Sequence, residues 1–96
     1  METRIQLHHP AGKKAVSMDE NKYEILKKII LNQLKAQGEL SHTEILRVII
    51  NDFKKQKTTF PGSIEWHMEW VKLDLEANKL IERVPGKTGI KFRLTN

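Results

Sequence analysis

The last third of the chain, residues 63–95, constrains the fold most because a helical pattern there leads into two strand-like stretches. Apolar residues recur at helical spacing from Ser63, which suits an N-cap, to about Asn78. The stretches at residues 80–84 and 90–94 alternate apolar with polar side chains, and residues 85–89 between them are rich in turn formers. Since a lone two-stranded hairpin is marginal in water, its apolar face must pack against helices.

Two more helices are predicted before this unit. The first covers about residues 19–37, with Asp19 as N-cap and Gly38 as the C-terminal stop. The second covers about residues 42–54, and its start matches a capping box formed by Ser41 and Glu44. Three helices followed by a C-terminal hairpin predict an α+β fold of the winged helix-turn-helix type, in which the hairpin is the wing.

The segment before the first helix has little helical periodicity. Residues 4–7 alternate and predict a short N-terminal strand, and residues 9–12 predict a turn. We therefore divide the chain into an N-terminal arm, residues 1–18, and a winged-helix domain, residues 19–96. The length of 96 residues suits one domain with one core and leaves little room for an enclosed active site.

Cysteine usage and hydropathy narrow the classes of protein. The chain has no cysteine, which excludes disulfides, thiolate metal ligands and a cysteine nucleophile. It also has no apolar run long enough for a signal peptide or a membrane span. We expect a cytoplasmic protein without a membrane partner.

Several short motifs resemble a known protein family. They are His9-Pro10-Ala11-Gly12, Lys22-Tyr23-Glu24, Phe60-Pro61-Gly62, and the run Val71-Lys72-Leu73-Asp74-Leu75-Glu76-Ala77 after Trp66. Over about residues 5–93 the chain resembles a small bacterial family of unknown function. The resemblance implies a winged-helix-like fold, and it implies no catalytic residue because that family has no established activity.

The third helix is apolar on two sides. When successive residues are placed 100° apart around the helix axis, one apolar face contains Trp66, Trp70, Leu73 and Ala77. A helix with two apolar sides needs two covering surfaces, and the domain's own core supplies only one of them. The second side is expected to receive the N-terminal arm or a second subunit. We assign the interaction face to the nearly opposite group, which is Ile64, Met68, Val71 and Leu75.

A polar stripe between these sides carries Glu65, Glu69, Lys72 and Glu76. We expect it to be a solvated face with weak ion pairs at helical spacing. Three carboxylates there argue against base reading, because major-groove contacts use mostly Arg, Lys, Asn or Gln and phosphates repel acids.

Most of the positive charge of the chain lies outside the third helix, including clusters on the hairpin and at the end of the second helix. Lysine and arginine number 17 against 12 acidic residues, a net charge of +5 that favours phosphate or other anionic surfaces. The predicted nucleic-acid contacts are Arg83, Lys87, Lys91 and Arg93 on the wing and Lys54, Lys55 and Lys57 at the end of the second helix. The alternative is a hairpin edge whose charge only prevents aggregation.

Two functions stay open. The first is a regulator-like module that binds double-stranded DNA through wing and arm cations, without sequence specificity. The second is a non-enzymatic module for protein–protein contact or homodimerisation. The sequence contains no catalytic motif and no glycine-rich phosphate loop. Its four histidines, His8, His9, His42 and His67, do not have the spacing of metal ligands. We therefore expect no enzyme activity, no metal and no cofactor.

Overall fold

The computed structural model describes residues 3–86 and 89–95. These residues form three helices, a two-stranded ribbon and a three-stranded antiparallel sheet, which confirms the α+β class. In chain order the elements are β1 (Arg4–Gln6), β2 (Ser17–Asp19), α1 (Glu20–Gln37), β3 (Glu39–Ser41), α2 (His42–Lys55), α3 (Ile64–Ala77), β4 (Ile81–Gly86) and β5 (Gly89–Leu94).

Local capping chemistry sets the helix ends, as the sequence predicts. The Asp19 carboxylate accepts a hydrogen bond from the Lys22 backbone at the start of α1. The Ser41 and Glu44 side chains satisfy each other's backbone N–H groups at the start of α2, so the predicted capping box is confirmed. Ser63 accepts from the backbone N–H of Trp66 and begins α3. All three helices lie within two residues of their predicted bounds.

The three-stranded sheet contains one strand, β3, that lies between the first two predicted helices, where the sequence patterns predict no strand. Residues of β3 pair with β5, so that the strand order is β3-β5-β4. Leu40 of β3 lies opposite Phe92 of β5, and both side chains are buried against the helices. The hairpin is therefore part of a three-stranded sheet, because β3 pairs with the free edge of β5.

The N-terminal arm contributes to the core. β1 and β2 pair as an antiparallel ribbon, with Ile5 opposite Met18. Leu7 and Met18 belong to the same buried cluster as the core residues of all three helices. The arm therefore covers one side of α3, as the arm-docking alternative predicts.

A buried carboxylate on α3 holds this arm in place. Asp74 accepts hydrogen bonds from the backbone N–H of His8 at 2.8 Å and from the hydroxyl of Tyr23 at 2.5 Å. The Asn78 side-chain amide donates a third bond at 3.1 Å. Asp74 thus joins α3 to both the arm and α1, and it is not part of a solvated helix face.

The interaction face assigned to α3 is wrong for a free domain. Met68, Val71 and Leu75 are fully buried in the domain's own core, and Ile64 is half-buried against it. Residues 71–75 are buried at five consecutive positions, so the middle of α3 has no side open to a partner. The arm covers α3 at Asp74, and the hairpin covers it at Lys72.

Membrane insertion has no structural support here. None of the helices within residues 3–86 and 89–95 combines the length and the apolarity that crossing a bilayer requires.

We predict that Leu7→Ala destabilises the whole domain by about 2–5 kcal/mol, because the substitution opens a cavity in the shared core. The matched control is Lys13→Ala, at an exposed position of the same arm, with an expected effect within about 0.5 kcal/mol. Urea unfolding followed by circular dichroism measures both. Equal stability of the two variants would contradict an arm that belongs to the core.

We also predict that Asp74→Asn lowers the pKa of Tyr23. Burial raises this pKa well above its ordinary value of 10.0, and the hydrogen bond to Asp74 raises it further. The chain has one tyrosine, so ultraviolet absorbance of tyrosinate reports this group alone. The matched control is Glu24→Gln, which removes only the smallest of the causes and should lower the pKa much less.

The sign of the linkage follows from the raised pKa. Stability that depends on protonated Tyr23 is fully present below the ordinary pKa and is lost as the pH rises through the folded-state value. Because Asp74→Asn makes the shift smaller, the free energy of unfolding of this variant should fall less than that of the native chain as the pH rises above the ordinary tyrosine pKa. An unchanged tyrosine titration in that variant would rule out the assigned hydrogen bond.

Candidate functional site

The two arginines predicted to contact phosphate are both paired with glutamates. Arg83 donates from Nε to both carboxylate oxygens of Glu76 on α3, at 3.0 and 2.9 Å. Arg93 lies in the strand register between Glu82 and Glu39, with its Nε 2.6 Å from Glu82 and its Nη1 4.0 Å from Glu39. This acid–base–acid row crosses all three strands, so the positive charge of both arginines is balanced by carboxylates.

The predicted lysines are in different surroundings. Lys54, Lys55 and Lys57 are exposed around the end of α2 and form no ion pair among residues 3–86 and 89–95. Lys91 is exposed on β5, on the face of the sheet away from Phe92. Lys87 lies outside the described residues. Of the predicted contacts, the cations that remain accessible are therefore lysines, and three of them lie together at the C-terminal end of α2.

A line of aromatic side chains runs along the first half of α3. We call Phe60, His67, Trp66, Trp70 and His9 the aromatic strip. The ring centroids of successive members, in that order, lie 5.1, 4.9, 6.5 and 6.4 Å apart. Phe60 also stacks on Phe53 of α2 at 5.3 Å, which anchors one end of the strip to the core. The strip is thus a continuous surface whose far end, His9, comes from the N-terminal arm.

Local bonds position the rings of the strip. The His67 imidazole donates from Nδ1 to the Ser63 carbonyl at 2.7 Å, which fixes its orientation on the first turn of α3. Gly62 has a φ of 91°, and a Cβ there would come within 3.3 Å of the His67 ring. His9 is held by the arm's turn, where its Nδ1 accepts from the Ala11 backbone at 3.0 Å.

A carboxylate edge borders the strip. Glu65 and Glu69 lie on α3 beside the two tryptophans, and both approach His42 at the start of α2. Lys72 donates to Nδ1 of His42 at 2.8 Å, and an ammonium can only donate. Nε2 of His42 lies 3.0 Å from Glu65 Oε2, and its Nδ1 lies 3.2 Å from Glu69 Oε2. One edge of the strip is acidic.

Lys72 is not on the solvated stripe that the sequence predicts. Only 3% of its side chain is exposed, and its Nζ lies 4.3 Å from the ring centroid of Phe92. Burial lowers the pKa of Lys72, and the nearby Glu69 carboxylate opposes part of that effect. The hairpin covers this face of α3, so the stripe of acids is interrupted by a buried cation.

Sequence reasoning placed Trp66 and Trp70 on one face but did not predict this site. The strip depends on His9 and Phe60, which come from segments without helical periodicity, and no spacing rule brings them to α3. His42 also belongs to the surroundings of the strip, because it is half-buried among charged groups of α3. Two features of the sequence do point toward the strip: Trp66 and Trp70 are one helical turn apart, and turn-forming residues precede α3.

The part of the chain that the structure describes contains no assembled metal site. No group of three or more histidine, aspartate or glutamate residues there could hold a metal ion. No buried side-chain polar atom in that part lacks a hydrogen-bond partner. The arrangement that does stand out is an aromatic surface with one acidic edge.

Comparison with known proteins gives the family and nothing further. Neither the curated proteins nor the solved structures contain a match to this chain. A family model described as a family of unknown function, DUF6958, matches residues 4–92, which include the arm, all three helices and most of the hairpin. The chain therefore belongs to the DUF6958 family.

Proposed function

We propose that the chain is a winged-helix domain that acts as a protein-interaction module, with the aromatic strip as its contact surface. The order of elements supports the fold assignment, because α1, β3, α2 and α3 precede the β4–β5 hairpin. The insertion of β3 beside β5 supports it further, since the hairpin then extends from a sheet that the helices cover. In this assignment the hairpin is the wing.

One observation carries the proposed function, namely the exposure of Trp66. This side chain is 45% exposed, although its helix is otherwise largely buried, and Trp70 beside it is half-buried. Tryptophan is enriched at the centres of protein interfaces, where it buries a large area with little loss of side-chain freedom. Two tryptophans one helical turn apart therefore support a contact surface.

The charges around the strip point to the kind of partner. Glu65 has a largely exposed carboxylate, and Glu69 is partly exposed beside it. A lysine or arginine of a partner could pair with these acids while its charge lies over an indole face. We therefore propose a peptide segment in which a basic side chain neighbours an apolar one.

The same features give less support to base reading by α3. The exposed part of α3 carries Glu65 and Glu69, and duplex DNA would repel both. The middle of the helix is covered, so it cannot lie in a major groove as a recognition helix does. Arg83 and Arg93 would also have to break their glutamate pairs to contact phosphates.

We predict that a display selection of random peptides on the native protein enriches sequences with a basic residue beside an apolar one. The best peptide, made synthetically, should bind Trp66→Ala at least about tenfold more weakly, because truncating a tryptophan at the centre of an interface typically costs about 2 kcal/mol or more and about 1.4 kcal/mol is tenfold. Isothermal titration calorimetry measures the difference. Binding to Glu65→Gln should weaken as well, by less, because an exposed ion pair contributes little.

Ile25→Ala is the control for this experiment. Ile25 is an exposed apolar side chain on α1, outside the strip, so its removal should leave the affinity unchanged. If the selected peptides have no basic and apolar consensus, or if Trp66→Ala binds them as tightly as the native chain, the aromatic strip is not the contact surface.

A second candidate function, non-specific binding of double-stranded DNA, is favoured by the three exposed lysines at the C-terminal end of α2. Lys54, Lys55 and Lys57 add to a net charge of +5 and have no ion pair among the described residues. Contacts of this kind neutralise phosphates and release counterions, so they depend strongly on salt and little on sequence.

If this second function holds, replacing all three lysines by glutamine should lower the magnitude of the slope of log K against log salt by about 3, near 0.9 for each lost contact. Fluorescence anisotropy of a labelled random duplex across salt concentrations measures it. The matched control is Arg83→Gln with Arg93→Gln, which removes two paired cations and should change the slope little. No binding by the native chain at low salt would eliminate DNA as a ligand.

A further inference from the structure

An open cavity of about 500 Å³ lies between the start of α2, the middle of α3 and the hairpin. This volume is within the range of roughly 300–1,000 Å³ that small-molecule pockets occupy. Its lining combines four polar side chains with an aromatic ring and an aliphatic side chain. The lining side chains are His42, Glu69, Lys72, Arg83, Ile90 and Phe92.

Lys72 gives this cavity a buried cation with a single carboxylate partner. Its Nζ lies 2.8 Å from Nδ1 of His42 and 3.4 Å from Oε2 of Glu69. No other carboxylate within residues 3–86 and 89–95 lies within 4.0 Å of this nitrogen. A buried charge is costly unless it is paired, so an additional anion beside Lys72 would be stabilising.

Arg83 supplies a second cation in the same cavity. The strand register places it opposite Phe92, on the face of the hairpin that faces α3. Its Nε side is occupied by Glu76, whereas none of the hydrogen bonds among the described residues uses its Nη groups. These nitrogens are the planar donors that bind carboxylate or phosphate oxygens in a fork-like geometry.

The remaining wall of the cavity is apolar. Ile90 is 47% exposed at the cavity, although it shares the inward face of β5 with the buried Phe92. An isoleucine on the inward face of a sheet is ordinarily covered by other side chains. Here it leaves apolar surface beside the two cations, so the lining suits a molecule with an anionic end and an apolar body.

We propose that this cavity binds a small organic acid, whose carboxylate bridges Lys72 and Arg83 and whose apolar body lies against Ile90 and Phe92. Glu69 and Glu76 balance part of the positive charge, so an anion without an apolar body should bind only weakly at this site. Burial lowers the pKa of Lys72, and a bound carboxylate would raise it because it favours the charged ammonium.

The test is a titration of the ¹⁵N-labelled native chain with phenylacetate, followed by amide chemical shifts. We expect shifts concentrated at His42, Lys72, Ile90 and Phe92. The neutral analogue 2-phenylethanol should bind at least tenfold more weakly, because it lacks the charge. Inorganic phosphate should also bind at least tenfold more weakly, because it lacks the apolar body.

Substitutions on the two faces of the hairpin separate a specific site from general attraction to a basic protein. Arg83→Gln should reduce phenylacetate affinity about tenfold, and Lys72→Met should abolish binding. Arg93→Gln is the matched control, since Arg93 is also paired with a glutamate but lies on the opposite face of the same hairpin. It should leave the affinity unchanged.

Several results would overturn the proposal. They are shifts spread over the surface lysines, equal binding of phenylacetate and 2-phenylethanol, equal binding of phosphate, and equal affinity in the native chain and Arg83→Gln. Because Arg83 is partly exposed, Arg83→Gln is expected to fold even where Lys72→Met does not, so the arginine variant alone decides the outcome. Binding of random peptides by the aromatic strip is a separate measurement, and neither result predetermines the other.

Discussion

Two buried charged side chains on α3 connect that helix to every surrounding element. Asp74 receives hydrogen bonds from Tyr23 on α1 and from the arm at His8. Lys72 contacts His42 on α2 and the Phe92 ring on the hairpin. The two residues are two positions apart, so their side chains leave the helix in different directions. The arm and α1 therefore meet one side of α3, and α2 and the hairpin meet another.

This arrangement makes the position of each element specific. Apolar packing alone tolerates small shifts between helices, whereas a buried carboxylate without its donors loses several favourable bonds at once. In a domain of 96 residues the core is small, so the free energy of unfolding depends strongly on whether these polar groups keep their partners. The absence of orphaned polar side-chain atoms among the described residues shows that both groups are satisfied in the folded chain.

The fold could be predicted from the sequence where the signals are local. Asp19, Ser41 and Ser63 act through bonds to residues close by in the chain, so caps and periodicity predicted all three helices and both hairpin strands. The strand β3 was not predictable in this way, because it has three residues and exists only through pairing with β5.

The candidate site was less predictable because it depends on contacts between distant segments. A helical wheel shows which side chains share a face, but it does not show that a hairpin will cover Lys72 or that an arm will cover Asp74. A count of positive charges likewise does not show that Arg83 and Arg93 have glutamate partners. The winged-helix and DNA-binding predictions rested on composition and element order, and they stay predictions.

The burial of α3 also limits where a partner can approach. Beyond Trp70 the helix is enclosed, so its accessible surface is the first two turns, which carry the tryptophans and the acidic edge. Glu69 belongs to that edge and also lines the cavity beside Lys72, and His42 lies between them. The two proposed sites therefore share one carboxylate, and a substitution at Glu69 would alter the charge at both of them.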